Sequence, residues 1–392
     1  MTTIIKNYLT APEVPDLDAD VQTEEMLVNM GPQHPSTHGV LRLVLRTDGE
    51  MILEAIPHIG YLHRCAEKIG ENLAYYQYVP YTDRMDYLAG MNNNLGWALA
   101  VEKLAKLEIP KRAQYIRVIM CELNRIASHL VSFGTYGLDM GAFTPFLYAF
   151  REREFILDLL EAACGARLTY SYITIGGVTH DLTQAWVDKC REFLDYFEPK
   201  IKEYNDLLSF NHIFIRRTAN VGVLSKPAAL DYAITGPCLR GSGINWDLRK
   251  IQPYSSYEDF DFDIPVGRGQ MGHTGDSWDR YYIRMLEMMQ SLRILRQALD
   301  RLPGASANGH RIALPRIFKV PAGEVYMETE AARGQLGFYI ESQGGPIPYR
   351  VKVRGPSFCN LSVTTELCQN CLLADVPAII GSIDVVMGEV DR

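Results

Sequence analysis

Cysteine is scarce in this 392-residue chain, with eight in all, at positions 65, 121, 164, 190, 238, 359, 368 and 371. That usage excludes a disulfide-framed secreted scaffold and fits reduced, mostly buried thiols in a cytosolic-type compartment. Blocks of basic residues are absent too. Lysine and arginine number 39 against 47 acids, a net charge of −8, which excludes a nucleic-acid surface. No uninterrupted apolar run reaches the ~18 residues that a membrane span needs. No basic segment followed by an apolar one opens the chain, so no signal peptide is expected. Residues 1–25 form instead an acidic lead (Glu13, Asp16, Asp18, Asp20, Glu24, Glu25), opposite in charge to a mitochondrial presequence. Internal repeats and low-complexity tracts are also missing. The expectation is a chain that is soluble or meets a membrane only through partners.

What is present is an ordinary globular balance, 47% hydrophobic and 22% charged, over a length that can bury a large core. Residues 26–60 read as a β unit. Leu41, Leu43 and Leu45 alternate with Arg42, Val44 and Arg46, the period of a half-buried strand, and Asp48-Gly49 marks a hairpin turn before Met51–Ile56. Residues 61–305 read as a helical bundle. Trp278, Tyr282, Met285, Met289, Leu292, Leu295, Leu299 and Leu302 recur at three and four, one apolar stripe, with Arg280, Arg284, Glu287, Arg293 and Arg296 off it and Pro303-Gly304 ending it. A second helix spans 111–133 and is apolar on most sides, which predicts a central place. Residues 306–392 read as short strands (325–329, 336–341, 349–353) followed by short helices. The fold class is α+β, a central helical bundle flanked by β-rich units from both ends, forming one cooperative unit.

Four motifs carry candidate chemistry. His34 and His38 stand four apart in Gly31-Pro32-Gln33-His34-Pro35-Ser36-Thr37-His38-Gly39, but the prolines and glycines argue against the helical zinc motif, which also needs a glutamate after the first histidine. Gly267-Arg268-Gly269-Gln270-Met271-Gly272 matches the dinucleotide string. The acidic, proline-bearing segment before it is no buried parallel strand, so a flexible loop is expected. Cys368-Gln369-Asn370-Cys371 lacks the second ligand pair of a structural zinc site and reads as two helical thiols, with a redox role the weaker alternative. Glu122, Arg125 and His129 share one face of an apolar helix, where buried charges must be paired. An ion-pair network is favoured there over a proton path.

Seven segments in order carry a resemblance: GPQHPSTHGVLR (31–42), HIGYLHR (58–64), PYTDRMDY (80–87), ELNRIASHL (122–130), REREF (151–155), LRGSGINWDLRK (239–250) and GSIDVVMGEVDR (381–392). From about Met26 to Arg392 the chain resembles the core subunit of respiratory complex I, the NADH:quinone oxidoreductase, that is related to the large subunit of nickel–iron hydrogenases. The resemblance implies that hydrogenase-like fold. At the positions where the hydrogenases hold their metal with two Cys-x-x-Cys pairs, this chain has Asp86 and Ala89, then Val386 and Glu389. Soft thiolates are what such a centre requires, so none is expected here.

What the resemblance implies about function follows from that replaced cavity. A quinone headgroup would sit between His38 and Tyr87, each donating a hydrogen bond and then a proton to one carbonyl oxygen as two electrons arrive. Asp139 matches the acid that pairs with the histidine and would start proton coupling to the membrane arm. Arg64 matches an arginine beside the terminal iron–sulfur cluster of a neighbouring subunit. The quinone, ubiquinone or menaquinone, is substrate; no metal or cluster is expected on this chain, and NADH, FMN and the iron–sulfur clusters belong to partners. Those partners are the iron–sulfur subunit with the terminal cluster, other peripheral-arm subunits and a membrane-arm subunit at the quinone tunnel. The expected place is the cytoplasmic face of a bacterial inner membrane, as a peripheral subunit.

Two departures from the family stand out. Thr169 replaces a histidine near the cluster, which removes a protonatable neighbour and implies a lower cluster potential, suited to a menaquinone. The 266–275 loop is longer than usual. The rival reading is a structural subunit of a hydrogenase-related membrane complex without quinone chemistry of its own.

Overall fold

Alternating leucines build the first sheet. The computed structural model describes residues 25–37, 39–304 and 309–392. Most of the acidic lead, the 305/306 boundary and His38 lie outside these residues. Strands β1 (Glu25–Met30), β2 (Arg42–Asp48) and β3 (Met51–His58) form an antiparallel sheet in sequence order. Leu41, Leu43 and Leu45 are fully buried, so one face of β2 is core. Gly49 takes φ +58° in the turn, a left-handed conformation that glycine adopts without strain.

Helices then dominate. α1 (Ala66–Gly70) and α2 (Val79–Asp83) lead into α3 (Gly90–Ala105), α4 (Lys111–Asp139) and α5 (Phe143–Cys164). After the two-residue strands β4 (Ile173–Thr174) and β5 (Gly177–Val178) come α6 (Gln184–Tyr204), α7 (His212–Thr218), α8 (Lys226–Asp231), α9 (Gly236–Gly241), α10 (Leu248–Ile251) and α11 (Ser277–Asp300). A second antiparallel sheet follows, β6 (Gly323–Ala331), β7 (Gly334–Ser342) and β8 (Arg350–Arg354), and then α12 (Pro356–Ser362), α13 (Thr364–Leu367), α14 (Val376–Ile383) and α15 (Met387–Asp391). The class is α+β. Among the described residues no helix is long and apolar enough to cross a membrane.

Two predicted helices differ in instructive ways. α4 runs past residue 133 to Asp139. Glycine weakens a helix, but a Cβ at Gly134 would stand 3.1 Å from Phe146 Cα, so the glycines let α5 pack directly onto this last stretch. In α11, capped by Asp276 accepting from Asp279 N at 2.8 Å, the off-stripe residues Arg280, Arg284 and Glu287 are buried as well. Their partners are remote. Arg280 donates to Gly222 O and Gly275 O, Arg284 to Ser382 O and Ile383 O, and Glu287 accepts from Arg240. Only Arg293 and Arg296 of the set keep to the outer side.

The Gly267–Gly272 string forms no strand–turn–helix. Nor does the loop swing free, as the sequence suggested. Gly267 N donates to Arg240 O at 2.8 Å, and Asp279 Oδ2 accepts from Gly269 N at 2.9 Å. A Cβ on Gly267 would collide with Gly241 O, which explains the glycine.

Three apolar clusters result. One fills the bundle of α4, α5, α6 and α11. Another lines α3 and the β6–β8 sheet. The third joins the chain's distant ends: Leu41, Leu43, Leu45 and Ile52 pack with Val376, Ile379, Ile383, Met387 and Val390.

Through the bundle runs a buried ionic chain. Glu122 takes Arg249 Nη1 at 3.2 Å, Arg125 Nε at 3.3 Å, Tyr257 OH at 2.7 Å and Ser291 Oγ at 2.6 Å. Arg249 also holds Asp247 at 2.7 Å, and Arg240 reaches Glu287 and Glu330. His129 Nε2 lies 2.9 Å from Glu287, and burial pushes its imidazole below the ordinary range despite that partner. Burial works against the charge on Glu287 too, but Arg240 and His129 outweigh it and hold the carboxyl low. Arg125 donates to Glu330 O and Ala331 O, tying the network to the end of β6. Replacing Arg240 by alanine strands two buried carboxylates. We expect a loss of about 3–5 kcal/mol, read as a lower denaturation midpoint; an unchanged midpoint would count against this support.

Candidate functional site

The third cluster brings the 58–64 and 381–392 segments together, and polar contacts then fix them. Asp391 accepts from Gly60 N at 2.8 Å and Leu62 N at 2.7 Å. His63 Nδ1 lies 2.7 Å from Asp391 O, and Arg64 N donates to Arg392 O at 3.1 Å. The exposed Arg64 side chain turns onto the stretch after α2, where Nη2 donates to Arg84 O at 2.7 Å. α15 lies against that same stretch. A Cβ at Gly388 would stand 2.6 Å from Met85 O, so only glycine allows this approach.

Into this junction the β6–β7 hairpin drives its tip. Ala331 pairs with Gly334, which leaves Ala332-Arg333 as the turn, and Arg333 is 1% exposed. Arg333 Nη1 donates to Asp86 Oδ2 at 3.1 Å and to Ser128 Oγ at 2.5 Å, and Nη2 faces Asp384 Oδ1 at 3.5 Å. Burial alone would favour losing this charge; Asp384 and Asp86 outweigh it and keep the guanidinium protonated. Asp384, in turn, lies 3.4 Å from Arg284 Nε.

Glu389 completes the group. Its Oε2 accepts from Ser357 N at 3.0 Å and from Ser357 Oγ, while Oε1 has no partner. Burial, reinforced by the charge of Asp86, raises its carboxyl to about 7. Asp86 and Glu389 therefore face one another, and Ala89 and Val386 are buried on the same two segments.

Tyr87 is half-buried beside this group. Burial raises its phenol, Arg333 and Arg64 oppose the rise, and Asp86 and Asp384 add to it. The phenol is thus a donor that stays protonated across the neutral range. His38 lies outside the described residues. The end of its loop is visible, where Gly39 bridges His34 and backs onto Met387 of α15. Asp139, half-buried at the end of α4, sets its Oδ2 3.1 Å from where a Cβ on Gly381 would stand, so it abuts α14. Tyr136, one turn earlier, fixes that contact by donating to Ala378 O at 2.9 Å. Thr169 adopts φ +55° in a loop anchored by Asp83, whose Oδ2 accepts from Ser171 N and Ser171 Oγ, each at 2.8 Å. Burial raises Asp83 to about 6.

The sequence reading therefore named Tyr87, Asp86, Glu389 and Arg64, which the fold gathers, but missed Arg333, Asp384 and Ser357. A charge at the tip of an apolar hairpin was the available signal for Arg333. A cavity of about 680 Å³ lies on another face, between the 263–270 loop and α11, and involves none of these residues. Among the described residues no group of three or more His, Cys, Asp or Glu side chains is arranged to hold a metal.

Comparison with known proteins supplies the class, an oxidoreductase subunit. The chain matches the family described as "Respiratory-chain NADH dehydrogenase, 49 Kd subunit" over residues 139–317 and 309–392. It is 52% identical over 377 residues to an NADH-quinone oxidoreductase subunit of Chlorobium luteolum, covering 96% of this chain and 95% of that one. It is 52% identical to the NADH-quinone oxidoreductase subunits of the same designation from an Anaeromyxobacter strain (95% and 98% covered) and from Desulforamulus reducens (95% and 99%). The chain belongs to this 49 kDa subunit family of the respiratory-chain NADH dehydrogenase.

The raised carboxyl of Glu389 has a measurable sign. A free glutamate titrates near 4.3, so from about pH 4.3 to about 7 the folded chain holds a proton that the unfolded chain has lost. That contribution to stability is complete below the lower value and is lost as pH rises through the upper one. Infrared difference spectra should show a protonated-carboxyl band that disappears near neutrality and is absent in Glu389→Gln. A band unchanged by that substitution would refute the assignment.

Proposed function

We propose that this chain is the quinone-reducing core subunit of an NADH-quinone oxidoreductase, active only within the multisubunit complex. The observation that carries the reading is the junction of Tyr87 with Arg333, Asp86, Asp384 and Glu389 where the 80–87 and 381–392 segments meet. A quinone needs a proton donor at each carbonyl oxygen. Tyr87 supplies one, and His38, on the loop that backs onto Met387, supplies the other. The fixed positive charges of Arg333 and Arg64 favour negative charge developing on the ring oxygen near Tyr87, which lowers the barrier to proton transfer. Glu389 gives the same wall a group that changes protonation near neutrality.

The partner's terminal iron–sulfur cluster supplies the electrons, with Arg64 on the side of this chain nearest to it. NADH, FMN and the other clusters belong to further peripheral-arm subunits. Asp139 couples reduction to the membrane arm. Its contact with α14 supports this, because that helix leads directly into Asp384, a partner of Arg333. The positions that hold nickel and iron in hydrogenases carry two carboxylates and two apolar side chains here, with a guanidinium among them, and do not fit a thiolate-held metal. We read the cavity as a hydrogenase-related one given over to quinone. The chain is placed peripherally, on the cytoplasmic face of a bacterial inner membrane, against the membrane-arm subunit at the quinone tunnel.

Replacing Tyr87 by phenylalanine tests the reading. Quinone reductase activity of the assembled complex should fall at least about a hundredfold, with subunit content unchanged. Activity near the original level would favour the structural-subunit alternative. A second test concerns Thr169. The midpoint potential of the partner's terminal cluster should vary little with pH across the neutral range, and Thr169→His should introduce a pH dependence. A steep dependence in the unaltered complex would overturn this part of the account.

A further inference from the structure

The cysteine pair of the 368–371 segment is placed unlike the six other thiols. Cys368 caps α13 and is fully buried. Asn370 turns the chain back with φ +60°, so that the half-buried Cys371 returns over Cys368, its Sγ donating to Cys368 O at 2.8 Å. Cys371 lines an open depression of about 360 Å³, together with Asn220, Gly222, Glu366, Asn370 and Asp375. The turn is also a clasp. Asn370 N donates to Ile52 O and Ile52 N to Cys371 O, each at 2.9 Å, and Leu373 N donates to Glu50 O at 2.8 Å. The segment therefore holds the far end of the β2–β3 hairpin, whose other end leads into the His34–Gly39 loop.

We propose that Cys368 and Cys371 form a two-electron thiol–disulfide exchange site, whose substrates are small disulfides and thiols entering through the depression beside Cys371. The division of labour follows from placement. Cys371 is the attacking sulfur because it borders the opening; Cys368 is the resolving sulfur because it is sealed behind it. The electrostatics agree. A hydrogen bond from the Cys368 thiol lowers Cys371, with burial and Asp375 opposing. Arg217, 3.4 Å from Asp375, offsets that opposing charge. The same hydrogen bond, together with burial, keeps the proton on Cys368.

The exchange balances without a metal. The Cys371 thiolate attacks one sulfur of a small disulfide RSSR, forming a mixed disulfide. The RS–SR bond breaks, and the departing thiolate takes the proton that Cys371 gave up. Cys368 then attacks Cys371 Sγ and displaces the second RS group, which leaves with the proton from Cys368. Two cysteine thiols have become one disulfide, and RSSR has become two RSH. The product staples the turn that grips the hairpin.

The test uses the purified complex, equilibrated with glutathione and glutathione disulfide in graded ratios, quenched in acid, alkylated and digested. The peptide bearing both cysteines should lose its two alkylation sites together as the disulfide share rises, in a two-electron titration. Cys368→Ser should trap a stable glutathione adduct on Cys371, whereas Cys371→Ser should leave Cys368 unmodified. The proposal is overturned if both thiols stay alkylated at the most oxidising ratio while the excised peptide oxidises, or if the trapped adduct falls on Cys368. Should either variant fail to assemble, the titration of the unaltered complex decides alone.

Discussion

A guanidinium pushed into a dry interior must be met there by carboxylates, and Arg333 is met by two of them from opposite ends of the chain. Asp86 follows α2; Asp384 ends α14. Neither segment is near the other in sequence, and neither carboxylate could remain charged in that place without the shared cation. The hairpin tip thus acts as the pin through a hinge. It fixes the distance between the 80–87 and 381–392 segments, and with it the surroundings of Tyr87 and Glu389. Gly388 makes the approach sterically open, and Arg333 makes it electrostatically favourable.

The ionic chain within the bundle extends the same logic. Three guanidiniums, those of Arg125, Arg240 and Arg249, face four carboxylates, those of Glu122, Asp247, Glu287 and Glu330. The surplus acid is visible in Glu330, which burial raises, with Arg240 opposing and Asp247 reinforcing. Because Arg125 grips the backbone of residues 330 and 331, the network ends where the Arg333 turn begins. Burial of so many charges gives little net stability, but it permits few alternative packings, since any slip strands an ion. Positional accuracy at the junction is what this arrangement supplies.

Local pattern carried much of the fold. The leucine alternation of β2 and the three-four spacing of α11 were legible because each depends on neighbours in sequence. The extension of α4 was not, since Gly134 breaks the helical pattern until α5 is present to fill the space. The inner placement of Arg280, Arg284 and Glu287 was hidden for the same reason: their partners lie on other elements. At the site, the resemblance pointed to Tyr87 and to the altered metal positions at 86, 89, 386 and 389. Arg333, 247 positions from Asp86, left only a misplaced charge as a clue. Buried ion pairs over such separations have no signature in a single sequence.

Asp391 grips the backbone of Gly60 across 331 positions. During synthesis the 58–64 segment leaves the ribosome long before the carboxylate that secures it. Closing so wide a ring costs loop entropy that only the finished third cluster can offset. Until then the Tyr87 region stands open, its carboxylates hydrated and the Arg333 turn without its second partner. The junction is therefore among the last parts of the chain to mature, and a nascent or truncated product cannot present a half-built reaction centre to the rest of the machinery.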